Sequence, residues 1–438
     1  MQPLEMIARI QEVLARKALR EYEIFVASTD KLRAEAKDGS VHSLDRASET
    51  GLSLRVLVDG AFGFAYGSRP DEDLVEAALL SARHQFKDEF NHIPQASGAS
   101  AELDVYDERI ARAGADACIE RAIELEAAAR AADHRIQQVR KASFSRSIAQ
   151  VHLANSKGRA VSARASTCSA SIMVMAKQDD DMQAGYEFGF SHAWPDIDVG
   201  WIGAEAARRA TSMLGARHIK TMRVPVWFDN AATSDMLGII GESFLGENVV
   251  KGKSYLKDKL GTACFSPAIT LEDNPLDPQA ADACGFDGEG MPSRETILVK
   301  DGVLQGYVYD SYWAKVAGTS STGNAVRGGY RSTPSLGLRH LCLKPGPDMG
   351  LAGLGQVFKV TDVMGLHMAD HISGEFSVGV NGFLMQDGQV LYPVREAALA
   401  GNIFEMFTRV LAVGGDVRAF GSVKCPSILI DAMDLSSK

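Results

Sequence analysis

The chain begins with apolar residues at helical spacing broken by charges, MQPLEMIARIQEVLARKALREYE, and this pattern predicts an amphipathic helix over residues 4–20. Alternation then switches to period two in YEIFVAS (22–28), followed by SLRVLV (53–58) and AFGFAYG (61–67). Asp59-Gly60 joins the last two runs, and Asp-Gly between apolar runs signals a tight hairpin because both central positions favour positive φ. PDEDLVEAALLSARHQF (70–86) predicts a helix, with Pro and acids at its start and basic residues at its end. An Ala/Glu-rich helix follows at 116–132. Strands are expected near 136–145, 149–155 and 159–176, the last two joined by Asn-Ser-Lys-Gly (155–158). Asp179-Asp180-Asp181 reads as a solvated turn. A helix near 196–214 ends this half.

From about residue 220 the pattern changes. RVPVWFDN (223–230) predicts a strand ending in helix-capping residues. Met236, Leu237, Ile240 and Phe244 then recur at three- and four-residue spacing, so MLGIIGESFLG (236–246) is expected to be helical, with Glu242 past its middle. Beyond 260 the chain is glycine-rich and strand-like, with two further hairpin turns at Asp301-Gly302 and Asp387-Gly388. Strand runs after a mixed half indicate an α+β protein. The expected division is a mixed α/β domain at 1–220, with a sub-boundary near 105, and a β-rich domain at 221–438. No internal repeat shows in the sequence.

Composition narrows the class. Hydrophobic residues at 46% and charged residues at 23% are globular values, and a formal net charge of −10 opposes generic nucleic-acid binding. There is no apolar leader segment and no run of membrane-spanning length, so a cytoplasmic location is expected. Six cysteines stand far apart without a CxxC pair, and are read as small, buried or half-buried thiols.

Candidate chemistry is sparse. Glu242 is the single carboxylate in its apolar stretch, flanked by Gly238, Gly241 and Gly246. Repeated glycine in a helix implies the close approach of another backbone or a ligand. A zinc hydrolase helix needs two histidines beside such a glutamate, and here there are none. His367 and His371 are four apart, but flanking glycines favour a loop. Arg327, Tyr330 and Arg331 in RGGYRS surround two glycines, which suits either a clamp on a carboxylate or phosphate, or a glycine turn with solvated arginines. No P-loop, GxSxG elbow or dinucleotide fingerprint is present.

Longer stretches carry a resemblance. VWFDNAATSDMLGIIGESFLGENVVKGKSYLKDKLG, GFDGEGMPSRETILVKDGVLQGYVYDSYWA, STGNAVRGGYRSTPS, SGEFSVGVNGFLMQDGQVLYPV and AGNIFEMFTRVLAVGGD, in this order, resemble the TldD/PmbA family, also called modulators of DNA gyrase. GLSLRVLVDGAFGFAYGS is similar to that family's first domain. In the TldD branch a His-Glu-x-x-x-His helix and a downstream cysteine bind zinc. The matching positions here are Gly241-Glu242-Ser243-Phe244-Leu245-Gly246, so Glu242 is expected to be a relic or structural residue. GSVKCPSILI looks like the PmbA (TldE) branch, so Cys425 is not equated with the zinc-binding cysteine. The resemblance implies a dimer enclosing a chamber, formed with a TldD-type subunit that supplies the zinc, or with a second copy. No metal is expected in this chain. The implied substrates are unfolded peptides, including peptide antibiotic precursors and antitoxins. An autonomous hydrolase with an unrecognised site, and a non-enzymatic modulator that binds gyrase or an antitoxin, are the alternatives.

Overall fold

The computed structural model describes residues 2–96, 98–347, 350 and 353–437. Its first half is built on one six-stranded antiparallel sheet. Helix α1 (Pro3–Arg16) precedes β1 (Tyr22–Lys37), β2 (Ser40–Val58) and β3 (Ala61–Gly67), and α2 (Glu72–Arg83) follows. The same order returns with α3 (Ala115–Ala132), β4 (Ile136–Asn155), β5 (Ala160–Gln178), β6 (Asp181–Ser191) and α4 (Val199–Ser212). The sheet order β3-β2-β1-β4-β5-β6 joins the two units through β1 and β4.

The architecture therefore repeats although the sequence does not. Each unit buries one helix pair on the sheet, giving two separate apolar cores, the second of which also takes in Leu32, Ala34 and Ala36 of β1. One detail recurs at equivalent places. A Cβ on Gly63 of β3 would stand 1.9 Å from the Ala78 carbonyl oxygen of α2, and one on Gly185 of β6 would stand 2.1 Å from that of Ala206 in α4. Both helices thus lie against bare backbone. Packing is duplicated where side-chain identity is free to drift.

Strands β1 and β2 run much longer than alternation predicts. Residues 29–50 are highly charged and most of this part of β2 is exposed, while the buried face of β1 here consists only of Leu32, Ala34 and Ala36, a faint apolar signal among charges. Ladder bonding holds them: β1 pairs with β2 on one side and β4 on the other over most of its length. A further Asp-Gly turn, Asp38-Gly39, closes this hairpin with both residues at positive φ. The turns at Asp59-Gly60, Asp301-Gly302 and Asp387-Gly388 adopt the same expected conformation.

The second half is β-rich, as the α+β class requires. β7 (Met222–Phe228) pairs in parallel with β8 (Gln356–Met364) and antiparallel with β11 (Ile428–Ser437). β9 (Glu375–Gln386) and β10 (Gln389–Asn402) continue from β8, and β10 pairs back onto β11, so five strands close into a ring. A second sheet contains the short strands Leu271–Asp273, Thr296–Lys300, Leu341–Leu343 and Val423–Cys425. Helix α5 (Asn230–Gly241) contributes Met236, Leu237 and Ile240 to the large core formed with both sheets.

Candidate functional site

Asp229 ends the approach from β7 and caps α5 by accepting a hydrogen bond from the Ala232 N–H at 2.9 Å. The helix starts earlier than its apolar spacing suggests and stops at Gly241. Glu242 is then not a mid-helix residue; it opens a single 3-10 turn, Glu242–Phe244. Leu245 is extended, and a new short helix runs from Gly246 to Val250. The break has a tertiary cause. Leu245 bridges to Val308, and the Gly246 N–H donates to the Val308 carbonyl at 2.9 Å.

The Glu242 side chain is exposed at the edge of a cleft of about 260 Å³ lined by Leu237, Gly241, Leu245, Leu338 and Leu341. Its nearest side-chain partner is the Asn248 amide, which donates 2.8 Å to the Glu242 backbone carbonyl and lies 3.5 Å from the carboxylate. The flanking glycines are closely covered. A Cβ at 241 would lie 2.9 Å from the end of Leu338, and one at 246 would lie 2.1 Å from the ring of Tyr309. Between residues 241 and 246, Glu242 is the one side chain with metal-ligating chemistry, against the three protein ligands a hydrolytic zinc needs.

The RGGYRS residues lie elsewhere, on the seam between the two halves. Arg327 is buried; its Nη2 pairs with Glu23 of β1 and its Nε donates 2.6 Å to the Gly288 carbonyl. Arg55 of β2 joins the same cluster, with Nη2 at 3.0 Å from Glu23 and 3.2 Å from Glu289. Burial is the main influence lowering the Arg327 pKa, opposed chiefly by Glu23. Burial and then the charge of Glu289 raise that of Asp287. The expected clamp on a small anion thus has a competing occupation: Arg327 is already engaged by a carboxylate of the other half. Tyr330 and Arg331 both contact Glu49 of β2, and the Tyr330 ring lies so close to Gly51 that a Cβ there would fall 2.2 Å from it. This pair is more exposed, with Arg331 at 64% side-chain exposure.

His371 is exposed in a turn, and the backbone of His367 forms part of a short 3-10 turn at Leu366–Met368, its side chain lying outside the described residues. All six cysteines are unpaired; Cys118, Cys168, Cys342 and Cys425 are buried and the other two half-buried. Sequence reasoning missed two constellations. One is the buried ionic cluster in which Glu23 and Arg55 meet Glu289 and Arg327 from more than two hundred positions away. The other brings Asp277, His340 and Cys342 together, their ligand atoms within 4.8 Å of one another. His-Leu-Cys in a strand was the available signal, since residues two apart share a face.

Comparison with known proteins agrees along the chain. Models for PmbA/TldA metallopeptidase domain 1, central domain and C-terminal domain match residues 22–83, 108–214 and 221–437. The metalloprotease PmbA of Escherichia coli O157:H7 is 29% identical over 427 residues, covering 95% of this chain and 92% of its own. A PmbA homolog of Haemophilus influenzae is 28% identical, covering 97% and 94%. The crystal structure of TldE from Thermococcus kodakarensis superimposes with a TM-score of 0.91 at 23% identity, covering 99% of this chain and 100% of that one. With three domain models matched in order and near-complete coverage of these relatives, the chain belongs to the PmbA/TldD metallopeptidase family.

Proposed function

We propose that this chain is a PmbA/TldE-type subunit of a cytoplasmic metallopeptidase assembly that cleaves unfolded peptides, and that the hydrolytic zinc is held by a TldD-type partner. The observation that carries the proposal is the packing at Gly246. Where the zinc-binding branch carries its second helix histidine, this chain has a glycine, and the Tyr309 ring occupies the volume a side chain would need. Restoring the ligand therefore requires more than one substitution. Glu242 has the chemistry of a general base, but no neighbouring nitrogen donor is available within its turn to hold a metal-bound water beside it.

Other features fit a subunit that handles extended chains. The outer edge of β2 between Ser40 and Gly51 lies beyond the reach of β3, which pairs only from Leu52 onward. Such an edge accepts an extended peptide through main-chain hydrogen bonds with little sequence preference. Antitoxins and peptide antibiotic precursors belong to this substrate class. Met364, Met368, Ile372, Val390, Leu391 and Leu411 of the second half are exposed apolar side chains, suited to burial against a partner subunit or a second copy. No helix among the described residues is long and apolar enough to cross a membrane.

Reconstitution tests the proposal. The purified chain is mixed with a TldD-type subunit, and cleavage of an unfolded peptide is followed with each component alone and with both. The expected result is a mixed complex whose chelator-sensitive cleavage exceeds that of either component. A chain that neither associates with such a subunit nor changes its rate would overturn the reading.

A further inference from the structure

We propose that Asp277, His340 and Cys342 form a transition-metal site suited to Zn²⁺, on the face of the second sheet opposite α5. The strand Leu341–Leu343 runs antiparallel to Leu271–Asp273 and parallel to Val423–Cys425. Alternation turns Leu341 into the large core beside α5, so His340 and Cys342 point together to the other side. Asp277 reaches them from the loop after Leu271–Asp273. An imidazole, a thiol and a carboxylate thus meet within 4.8 Å, and the His340 Nε2 lies 3.9 Å from an Asp277 oxygen.

His340 is the decisive residue. It has no solvent exposure, yet neither ring nitrogen has a hydrogen-bond partner among the described residues. Buried polar atoms in folded proteins are nearly always satisfied, so a fully enclosed imidazole with two orphan nitrogens needs explanation. The other contacts do not supply one. Lys424 donates to Asp277 at 2.7 Å, and the Cys342 thiol approaches the His340 carbonyl at 3.5 Å, but both leave the ring untouched. The Asp273 carboxylate, also buried nearby, accepts from the His340 backbone N–H instead.

A mixed nitrogen, sulfur and oxygen donor set selects zinc over the hard alkaline-earth cations, with a water as fourth ligand. Bond lengths of roughly 2.0–2.3 Å place tetrahedral ligands about 3.3–3.8 Å apart, so the three side chains close up by about 1 Å on binding. The thiol loses its proton to solvent as the sulfur–metal bond forms. The Lys424 ammonium leaves the carboxylate and moves outward, an exit its 23% side-chain exposure permits. Lysine is then the resident cation of the metal-free protein, and competes with the metal for Asp277.

The test uses the full chain stripped with chelator and titrated with Co²⁺ and Zn²⁺. Co²⁺ should produce a thiolate charge-transfer band saturating at one equivalent, and Zn²⁺ should abolish it by displacement. Cys342→Ser should lose the band and more than about tenfold in affinity, Asp277→Asn should weaken binding, and Glu242→Gln should leave both readouts unchanged. Lys424→Met should tighten binding, an outcome a purely structural salt bridge does not give. Circular dichroism confirms that each variant is folded. A folded wild-type chain with no band, or a band that survives Cys342→Ser, overturns the proposal and leaves His340 solvated by a buried water. Because the readout is metal binding and not cleavage, its failure is separable from failure of the subunit reading.

Discussion

Replacing Gly246 with alanine tests the packing on which the proposed absence of a zinc site rests. The added Cβ would lie 2.1, 2.2 and 2.9 Å from the Cε1, Cδ1 and Cζ atoms of Tyr309. Carbon atoms in contact sit about 3.5–4.0 Å apart, so the ring must retreat by roughly 1.4 Å. The backbone cannot yield that distance easily. Gly246 donates to Val308 at 2.9 Å, Val308 donates to Phe244 at 3.0 Å, and Tyr309 is bonded to Thr322 through both its N–H and its carbonyl. The ring must therefore turn out of its packed position, an overpacking cost of ~1–3 kcal/mol. Removing a glycine from a helical turn returns about 0.5–1 kcal/mol. A net loss of ~1–2 kcal/mol is expected, read by urea unfolding monitored with circular dichroism. Tyr309→Ala lowers stability by itself but should remove the clash, so the double variant should be less destabilised than the sum of the two. For the same reason, Gly241→His with Gly246→His should not create a metal-binding helix while Tyr309 is intact. A Gly246→Ala variant as stable as the wild type would refute the packing account.

Other consequences follow from the fold. Gly63→Ala and Gly185→Ala should each destabilise by ~1–3 kcal/mol, because both force a helix backbone off its strand, whereas Gly67→Ala, whose Cβ would meet only Leu74 at 3.7 Å, should be tolerated; unequal behaviour of the first two would contradict the duplicated packing. Arg55→Met leaves Glu289 buried without its arginine, and Glu23 with Arg327 alone, and should cost ~3–5 kcal/mol in chemical denaturation, against less than about 1 kcal/mol if the cluster were solvated. Asp310 is raised from 3.8 to about 6, first by burial and then by the charge of Glu289. The folded state therefore holds this proton more tightly than the unfolded chain, and its contribution to stability, full below about pH 4, is lost as pH rises towards 6. Asp310→Asn, which retains an oxygen to cap the Trp313 N–H, should flatten that part of the stability-against-pH curve, and an unchanged slope would count against the assignment.

The elements that sequence revealed are those whose burial alternates or whose turns demand special backbone angles. The α1, α2, α3 and α4 helices and the Asp-Gly hairpins fall where periodicity and φ preference put them. The charged parts of β1 and β2 were illegible, because the buried face of β1 there is only Leu32, Ala34 and Ala36 set among charges, and this part of β2 is mostly exposed. Glu242 was legible as an isolated carboxylate, but its place after the end of α5 was not, since the helix stops where Leu245 bridges to a segment some sixty residues away. Arg327 shows the same limit: its guanidinium chemistry is plain in RGGYRS, while the carboxylate that occupies it comes from residue 23. The grouping of Asp277 with His340 and Cys342 needed the strand order of the second sheet.

On the proposed function, Glu242 is not the general base of a zinc hydrolase in this chain. The most direct test is the rate of unfolded-peptide cleavage by the wild type and by Glu242→Gln, each measured alone and in complex with a TldD-type subunit. No chelator-sensitive cleavage by either chain alone, and equal rates for the two complexes, are expected. Chelator-sensitive cleavage by the isolated wild type that disappears in Glu242→Gln would contradict the proposal.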